Sequence, residues 1–249
     1  MADNPKPLAD RVALVTGASR GIGAALALEL AKAGAHIVAV ARTVGGLEEL
    51  DDRINATGST ATLVPLDLKD TDGIVRLAGA LHQRYGRLDV LVGNAGLLTT
   101  PSPVPHIEPK HWDEVIAVNA TANWHLIRAC DPLLRASDAG RAVFVTSGLA
   151  WMARPYFGAY ATSKAALDAL VCTYAAECAN TPVRVNLFSP GQTRTRMMQT
   201  AFPGIEQETL PAPEEVVKAI VPLCLPHCVE NGRLYDFREG RFLSLRPPS

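Results

Sequence analysis

Short apolar runs alternate with helical segments along most of this 249-residue chain, and this alternation restricts the fold more than any other feature. It begins at residue 11 and continues to about residue 237. The apolar runs are nearly continuous, as in strands that are covered on both faces. Strands separated by helices pair in parallel through right-handed crossovers. The pattern therefore predicts an α/β protein with a doubly wound parallel sheet.

The predicted elements occupy one domain. Strands are expected at 11–16, 36–41, 60–66, 89–93, 141–146, 183–188 and 233–237, and helices at 22–33, 46–57, 71–85, 109–136, 158–179 and 213–225. Because no linker rich in Pro, Gly or Ser divides the chain, we expect a single domain over residues 10–249 behind a flexible arm at 1–9. The segment 190–213 lacks clear periodicity, which is typical of a binding loop or lid.

A glycine-rich turn joins the first predicted strand to the first predicted helix. The spacing is G-x-x-x-G-x-G over residues 17–23. Glycines permit a tight turn and a close approach to phosphate, and the following helix N-terminus has free N–H groups. The turn therefore predicts a nucleotide site, although such a turn can also be purely structural. The predicted contacts are Gly17, Ser19, Arg20, Gly21, Ile22 and Gly23.

The end of the second predicted strand indicates which dinucleotide is bound. An acidic residue there would bond the ribose 2′-hydroxyl of NAD, whereas an arginine accepts the 2′-phosphate of NADP. The chain has Arg42 and no acid at this turn, and Arg20 lies in the glycine turn. These residues favour NADP(H), with NAD(H) as the alternative and two solvated arginines as the structural explanation.

Tyr160 and Lys164 lie four residues apart in a predicted helix, so their side chains share one face. A nearby ammonium favours the phenolate and lowers the pKa of a tyrosine, which makes it a better acid–base group. The spacing alone favours the other explanation, an exposed tyrosine beside a solvated lysine, and the neighbouring motifs decide between the two.

Several motifs, taken together in their order and spacing, resemble the short-chain dehydrogenase/reductase family. They are Thr16 to Gly23, Asn94-Ala95-Gly96, Asn119, Ser147, Tyr160-x-x-x-Lys164 and Pro190-Gly191. The similarity extends over residues 11 to about 237, and the segment 190–213 with the tail after it looks closest to a bacterial oxidoreductase branch of unassigned substrate. The resemblance implies a single Rossmann-type domain with about seven strands. It also implies NADP(H)-dependent hydride transfer between nicotinamide and a carbonyl or alcohol.

The resemblance assigns catalytic roles to four residues. Tyr160 is implied to be the general acid–base, and Lys164 to lower its pKa and bond the nicotinamide ribose. Ser147 is implied to bond the substrate carbonyl oxygen, and Asn119 to hold a water in a proton relay. A strand-end serine that caps local backbone and a buried structural asparagine remain as alternatives.

The resemblance also extends the cofactor site along the chain. The implied contacts, besides Tyr160 and Lys164, are Asp67, Leu68, Asn94, Ala95, Gly96, Pro190, Gly191, Thr193 and Thr195. Gly93 departs from the family pattern, which has Asn at this position. The departure puts one stabilising side-chain hydrogen bond in doubt.

Apolar and aromatic residues near the predicted catalytic group suit an apolar or aromatic carbonyl compound or alcohol, and ordinary packing is the alternative. The candidate pocket residues are Leu97, Leu149, Trp151, Tyr156 and Met197. Segment 190–213 resembles the mobile substrate lid of the family. Two functions compete with this one: an epimerase or dehydratase, and a non-catalytic protein that senses dinucleotides. The family also includes enzymes with acyl-carrier substrates, but this chain has no clear basic patch for docking such a carrier.

Composition excludes several partners. The net charge of −1 and the pI near 6.6 indicate neither a nucleic-acid nor a membrane partner. No signal peptide or membrane span is recognisable, so a cytoplasmic protein is expected.

The odd number of cysteines, five, fits buried thiols rather than a metal site, including those at 224 and 228.

The helices at 109–136 and 158–179 resemble subunit-packing helices of the family, which predicts a homodimer or homotetramer.

Overall fold

A computed structural model describes residues 6–245 and contains one sheet of eight strands flanked by helices. The strands are β1 Val12–Thr16, β2 His36–Ala41, β3 Ala61–Pro65, β4 Val90–Gly93, β5 Arg141–Val145, β6 Arg184–Ser189, β7 Leu234–Asp236 and β8 Arg241–Leu243. The helices are α1 Gly21–Lys32, α2 Val44–Asn55, α3 Thr71–Tyr85, α4 Pro109–Ile116, α5 Ala122–Arg135, α6 Gly158–Glu177, α7 Arg196–Ala201 and α8 Pro213–Cys224.

The strand order is β3-β2-β1-β4-β5-β6-β7-β8, and the first seven strands are parallel. Successive residues of a strand face opposite sides of the sheet. In β1, Leu14 joins the core under α3, α5 and α6, whereas Ala13 and Val15 join the core under α1, α2 and α8. The prediction of a Rossmann-type α/β fold is therefore confirmed.

The order of the strands reverses between β1 and β4, because the chain crosses from β3 to the other side of β1. In an open parallel sheet, ligands bind beyond the carboxyl ends of the strands at such a switch point. The carboxyl ends of β1, β4 and β5 are therefore where a functional site is expected.

Three segments differ from the sequence prediction. The expected helix at 109–136 is interrupted by a π-helical turn, Ala117–Thr121, which contains Asn119. The expected lid contains the short helix α7, whose start is capped when Thr195 Oγ1 accepts a bond from Met198 N at 3.2 Å. The sheet has an eighth strand, β8, which is antiparallel to β7 and only three residues long.

The predicted N-terminal arm is packed in its described part. Leu8 is fully buried, and its N–H donates to Ala33 O at 2.9 Å. A Cβ atom on Gly34 would lie 2.9 Å from Lys6 Cβ. Residues 6–9 therefore cover the end of α1 instead of forming a loose arm, and residues 1–5 of the predicted arm lie outside the described residues.

Asp89, immediately before β4, is a buried carboxylate that fastens the amino ends of two strands. It accepts hydrogen bonds from Arg11 Nη1 at 3.0 Å, Val12 N at 2.9 Å and Ser137 Oγ at 2.7 Å. Arg87 Nε also donates to Asp89, at 3.2 Å. The bonds from Arg11 and Val12 hold the start of β1 against β4.

We expect Asp89→Ala to lower the free energy of unfolding by about 3–5 kcal/mol, because it leaves buried donors without their acceptor. Urea titration followed by circular dichroism measures the change. The control is Asp138→Ala, which removes a carboxylate that is 74% exposed and also pairs with Arg11. That variant should change stability by less than about 1 kcal/mol, and equal losses in the two variants would contradict this account.

Candidate active site

The turn between β1 and α1 requires glycine at three positions. Gly17 and Gly21 have φ angles of +66° and +57°, a region that glycine adopts without strain. A Cβ atom on Gly23 would lie 2.3 Å from Gly17 O, so only glycine fits there. The residue before α1, Arg20, makes no side-chain hydrogen bond to the first turn. The N–H groups of that turn are therefore available to an anion.

Hydrogen bonds between β1 and the segment after β4 hold the glycine turn in place. Thr16 Oγ1 donates to Val92 O at 3.1 Å and accepts from the N–H groups of Asn94 and Ala95, both at 3.0 Å. Asn94 Nδ2 donates to Thr16 O at 2.8 Å. The Asn94-Ala95-Gly96 segment thus forms a wall beside the turn.

The departure at Gly93 is accommodated by its neighbours. A Cβ atom on Gly93 would lie 2.3 Å from Phe144 Cδ1 and 2.5 Å from Asn123 Oδ1. Asn123 is buried, and its Nδ2 donates to Asn119 O at 2.8 Å. In this chain the space beside β4 is therefore filled by Phe144 and Asn123, and the side chain that the family pattern has at 93 would not fit.

A cavity of about 1360 Å³ opens above the carboxyl ends of the strands. Most of the predicted site residues line it, and the exceptions are Asn119 and Tyr156. The predicted residues on its wall are Gly17, Ser19, Arg20, Gly21, Ile22, Gly23, Arg42, Asp67, Leu68, Asn94, Ala95, Gly96, Leu97, Ser147, Leu149, Trp151, Tyr160, Lys164, Pro190, Gly191, Thr193, Thr195 and Met197. The cavity is larger than the roughly 300–1,000 Å³ of common small-molecule pockets, so it has room for a dinucleotide and a second molecule.

Arg20 and Arg42 both have exposed side chains on the wall of this cavity and form no ion pair within residues 6–245. Thr43, which follows Arg42 and precedes α2, contributes no acid. Asp67 Oδ1 accepts a bond from Lys69 N at 3.0 Å in the loop after β3. This end of the cavity therefore offers two guanidinium groups and one carboxylate.

Ser147, Tyr160 and Lys164 come together where β5 ends and α6 begins. Ser147 Oγ accepts from Leu149 N at 3.2 Å, so it caps a short 3₁₀ turn, Gly148–Ala150. Lys164 is buried, and its Nζ donates to Val145 O at 2.8 Å. The same Nζ lies 5.9 Å from the centroid of the Tyr160 ring.

Burial dominates the proton equilibria of this group. It raises the pKa of Tyr160 to about 12, and a hydrogen bond with Ser147 acts in the opposite direction. This differs from the expectation that Lys164 lowers the pKa of Tyr160, because removal of the phenolate from water is the larger effect. Burial also lowers the pKa of Lys164 to about 8, while Asp168 acts to raise it.

Asp168 lies one helical turn beyond Lys164 on α6 and is 7% exposed. Burial raises the pKa of its carboxyl to about 6, against the opposing effects of Thr146 and Lys164. Within residues 6–245, its Oδ1 and the hydroxyl of Thr146 are buried without a partner at good hydrogen-bond geometry. Because Asp168 is charged above about pH 6, it favours the ammonium form of Lys164.

Asn119 lies behind the cavity wall, where its fully buried side chain is a structural tie. Asn119 Oδ1 accepts from Leu97 N at 2.7 Å, and Nδ2 donates to Leu97 O at 2.9 Å and to Ser163 Oγ at 2.9 Å. Ser163 Oγ in turn donates to Tyr160 O at 2.7 Å. The asparagine therefore connects the wall after β4 to the helix that carries Tyr160.

The segment 190–213 approaches the wall that follows β4. A Cβ atom on Gly96 would lie 3.7 Å from Asn119 Oδ1, 3.7 Å from Lys164 Nζ and 3.8 Å from Met197 Cε. Met197 from α7 and Lys164 from α6 therefore both lie close to Gly96. At the base of the lid, Thr193 is buried and its Oγ1 donates to Pro190 O at 3.2 Å.

Tyr156 is not where the pocket prediction expected it. It is 58% exposed, has a φ of +75°, and lines a separate cavity of about 210 Å³ on the other side of Tyr160. No local sequence pattern predicted this backbone conformation.

Comparison with known proteins identifies the family. The model of the family described as short chain dehydrogenase matches residues 11–206. The chain belongs to the short-chain dehydrogenase family. It is 37% identical over 238 residues, 94% of each protein, to the uncharacterized oxidoreductase YciK of Escherichia coli K12. It is also 32% identical over 223 residues to the 2,3-dihydro-2,3-dihydroxybenzoate dehydrogenase of Bacillus subtilis, covering 88% of this chain and 85% of that one.

A solved short-chain dehydrogenase from Escherichia coli CFT073, determined in complex with NADPH, has the same architecture. It superposes with a TM-score of 0.89 at 34% identity, covering 94% of this chain and 99% of the other. The prediction of a family member from a bacterial oxidoreductase branch is therefore confirmed.

Within residues 6–245, no helix has the length and apolar character needed to cross a membrane. The same residues contain no group of three or more His, Cys, Asp or Glu side chains arranged to hold a metal ion. Cys130, Cys178 and Cys224 are buried, and burial raises the pKa of the Cys130 thiol to about 12.

Two features near the site were missed at the sequence level. Asp168 continues the helical spacing of Tyr160 and Lys164, and this i, i+4 spacing was a usable signal. Arg238 lines the cavity from the turn between β7 and β8, with its side chain beside Gly191. No local pattern predicted β8, so nothing in the sequence placed Arg238 near the site.

Proposed function

We propose that this chain is an NADP(H)-dependent oxidoreductase that transfers a hydride between the nicotinamide and a carbonyl or alcohol substrate. The observation that carries the proposal is that Ser147, Tyr160 and Lys164 line the same cavity as the glycine turn. A half-buried tyrosine, a buried lysine and a hydroxyl in one cleft are suited to proton transfer at an oxygen atom.

The residues present fit the dinucleotide. The glycine turn lines the cavity, and the N–H groups that begin α1 suit the pyrophosphate. Arg20 and Arg42 would hold the 2′-phosphate, for which a planar guanidinium fork is well shaped. The similar Escherichia coli protein that was solved with NADPH supports this choice of cofactor.

The remaining predicted contacts follow the cavity wall. Asp67 and Leu68 would meet the adenine, and the wall from Asn94 to Gly96 would flank the ribose and nicotinamide. Lys164 would bond the nicotinamide ribose, while the backbone at Thr193 and the side chain of Thr195 would meet the carboxamide. When bound, the cofactor supplies or accepts the hydride.

The protein's own part is orientation and proton transfer. Ser147 Oγ donates a hydrogen bond to the substrate oxygen, where negative charge develops during reduction. Tyr160 Oη donates its proton to that oxygen. Because burial raises its pKa to about 12, the phenol remains protonated at neutral pH, the form needed for donation. The ammonium of Lys164, 5.9 Å from the ring centroid, stabilises the phenolate that results.

Asn119, the fourth residue with an implied catalytic role, positions other parts of the site. With its amide committed to Leu97 and Ser163, the side chain of Asn119 fixes the wall after β4 relative to Tyr160. A relay water held near Asn119 stays a prediction, and so do the cytoplasmic location and the homodimer or homotetramer. For assembly, the exposed Trp112 on α4 and Trp124 on α5 are available side chains.

A protein that only senses dinucleotides would need the glycine turn but not the proton-transfer group. Substitution of Tyr160 therefore distinguishes a dinucleotide sensor from an oxidoreductase. We expect Tyr160→Phe to bind NADPH as the wild type does and to lose about 10²- to 10⁴-fold in turnover of an accepted carbonyl substrate. NADPH fluorescence titration and NADPH oxidation measure the two effects.

Tyr85→Phe is the control, because it removes a tyrosine hydroxyl that bonds His36 far from the cavity. Near-normal turnover by Tyr160→Phe would overturn the assignment of the proton donor.

We expect Arg42→Ala to weaken NADPH binding by about 10- to 100-fold, because charge-assisted hydrogen bonds to the 2′-phosphate are lost. NADH binding should stay unchanged. Arg53→Ala, an exposed arginine on α2 outside the cavity, is the control. An equal loss of NADH and NADPH affinity in Arg42→Ala would contradict recognition of the 2′-phosphate.

The rate of carbonyl reduction should fall as the pH rises through about 8, because Lys164 then loses the proton that keeps it cationic. Asp168→Asn removes a negative charge that favours this ammonium, so the fall in kcat/KM should occur at lower pH. Profiles of kcat/KM against pH measure the shift, with the exposed Asp52→Asn as control. A fall that stays in place, or moves to higher pH, would show that Asp168 does not tune Lys164.

A further inference from the structure

Arg154 is held between the lid and the helix that carries Tyr160. Its Cζ lies 4.4 Å from the centroid of the Phe202 ring, just after α7, and 5.8 Å from that of Phe157. The two rings stack on each other with centroids 5.2 Å apart. Phe157 immediately precedes α6, three residues before Tyr160. The guanidinium therefore lies beside these rings on the wall of the cavity.

The described contacts of Arg154 are with the two aromatic rings. A guanidinium has five N–H donors in its plane. In the described part of the chain these donors form no hydrogen bond and no ion pair. A guanidinium that lies beside aromatic rings and has free N–H donors is suited to bind a carboxylate or phosphate in a bidentate manner.

The charge of the cavity agrees with an anionic occupant. Nine basic side chains line it against four acidic ones, although the whole chain carries a net charge of −1. Two of the acids are matched by lysine or arginine, in the pairs Lys69–Glu114 at 3.9 Å and Arg241–Glu239 at 3.6 Å. Arg20 and Arg42 are assigned to the cofactor, which leaves an excess of positive charge around the lid.

Exposed apolar side chains surround the same place. Trp151 is 43% exposed, Met152 47% and Met197 37%, and all three line the cavity. Large apolar side chains with this exposure provide a surface for the body of a bound molecule. A cationic side chain such as Arg154 beside these apolar side chains selects a molecule that is apolar over most of its length and negatively charged at one end.

We propose that Arg154 recognises an anionic oxygen group, a carboxylate or a phosphate, on a carbonyl substrate with an apolar or aromatic body. The inference rests on the proposed carbonyl chemistry and names the substrate class for that same site. Arg154 is a specificity residue that binds the charged end, while Ser147 and Tyr160 receive the carbonyl oxygen.

The test is equilibrium binding of three probes to the full-length protein saturated with NADP⁺, so that binding is read without turnover. The probes are 4-carboxybenzaldehyde, 4-formylphenyl phosphate and the neutral 4-methylbenzaldehyde. Isothermal titration calorimetry compares wild type with Arg154→Met and with Arg84→Met. Arg84 is the matched control, because its Cζ lies 5.2 Å from the centroid of the Tyr85 ring outside the cavity.

We expect the wild type and Arg84→Met to bind at least one anionic probe about tenfold more tightly than the neutral one. The tighter anion identifies the group. Arg154→Met should bind the neutral probe unchanged and lose the preference. Equal binding of all probes by the wild type would overturn the inference, and so would a preference that survives in Arg154→Met.

A purely structural clasp between lid and helix predicts that Arg154→Met weakens neutral and anionic probes alike, which would also overturn the inference. Turnover of the same probes with NADPH is scored separately. An anion preference without turnover would count against the proposed oxidoreductase function alone, and turnover without preference would count against the role of Arg154 alone.

Discussion

The hydrogen bonds of Thr16 and Asn94 are the constraint on which the site depends. They join the end of β1 to the segment after β4, at the point where the strand order reverses. Without them the segment after β4 would not be held beside the glycine turn, because a crevice lies beyond the carboxyl ends of the strands at a switch point. The same segment continues to Leu97, whose backbone is held by Asn119. One connected network therefore sets the positions of both the glycine turn and the helix of Tyr160.

Burial then determines the protonation of the side chains on that helix. Tyr160 and Lys164 lie on one face of α6, and removal from water favours the neutral forms of both. A protonated phenol is ready to donate, and Asp168 on the same helix helps the lysine remain charged. The spacing of the three residues is a property of the sequence, whereas the depth at which they lie is a property of the fold.

Much of the fold could be predicted because its signals are local. The apolar runs of β1 and β2 and the glycine turn each specify their structure within a few residues. The π-helical turn around Asn119 could not be predicted, because it accompanies a side chain that bonds to Leu97, 22 residues earlier. Among the described strands, β8 pairs only with β7, and its three residues are too few for a periodic pattern. Tyr156 lies outside the large cavity, and no local pattern predicts its positive φ of +75°.

The most direct measurement of the central claim is isotope transfer. The protein is incubated with NADPH that carries deuterium at C4 of the nicotinamide and with a panel of ketones and aldehydes, and the alcohols are analysed by mass spectrometry. The account predicts one deuterium on the carbinol carbon of an accepted substrate, delivered from one face of the nicotinamide only. Saturating NADPH binding with no deuterium in any product would contradict it and identify a dinucleotide-binding protein without hydride transfer.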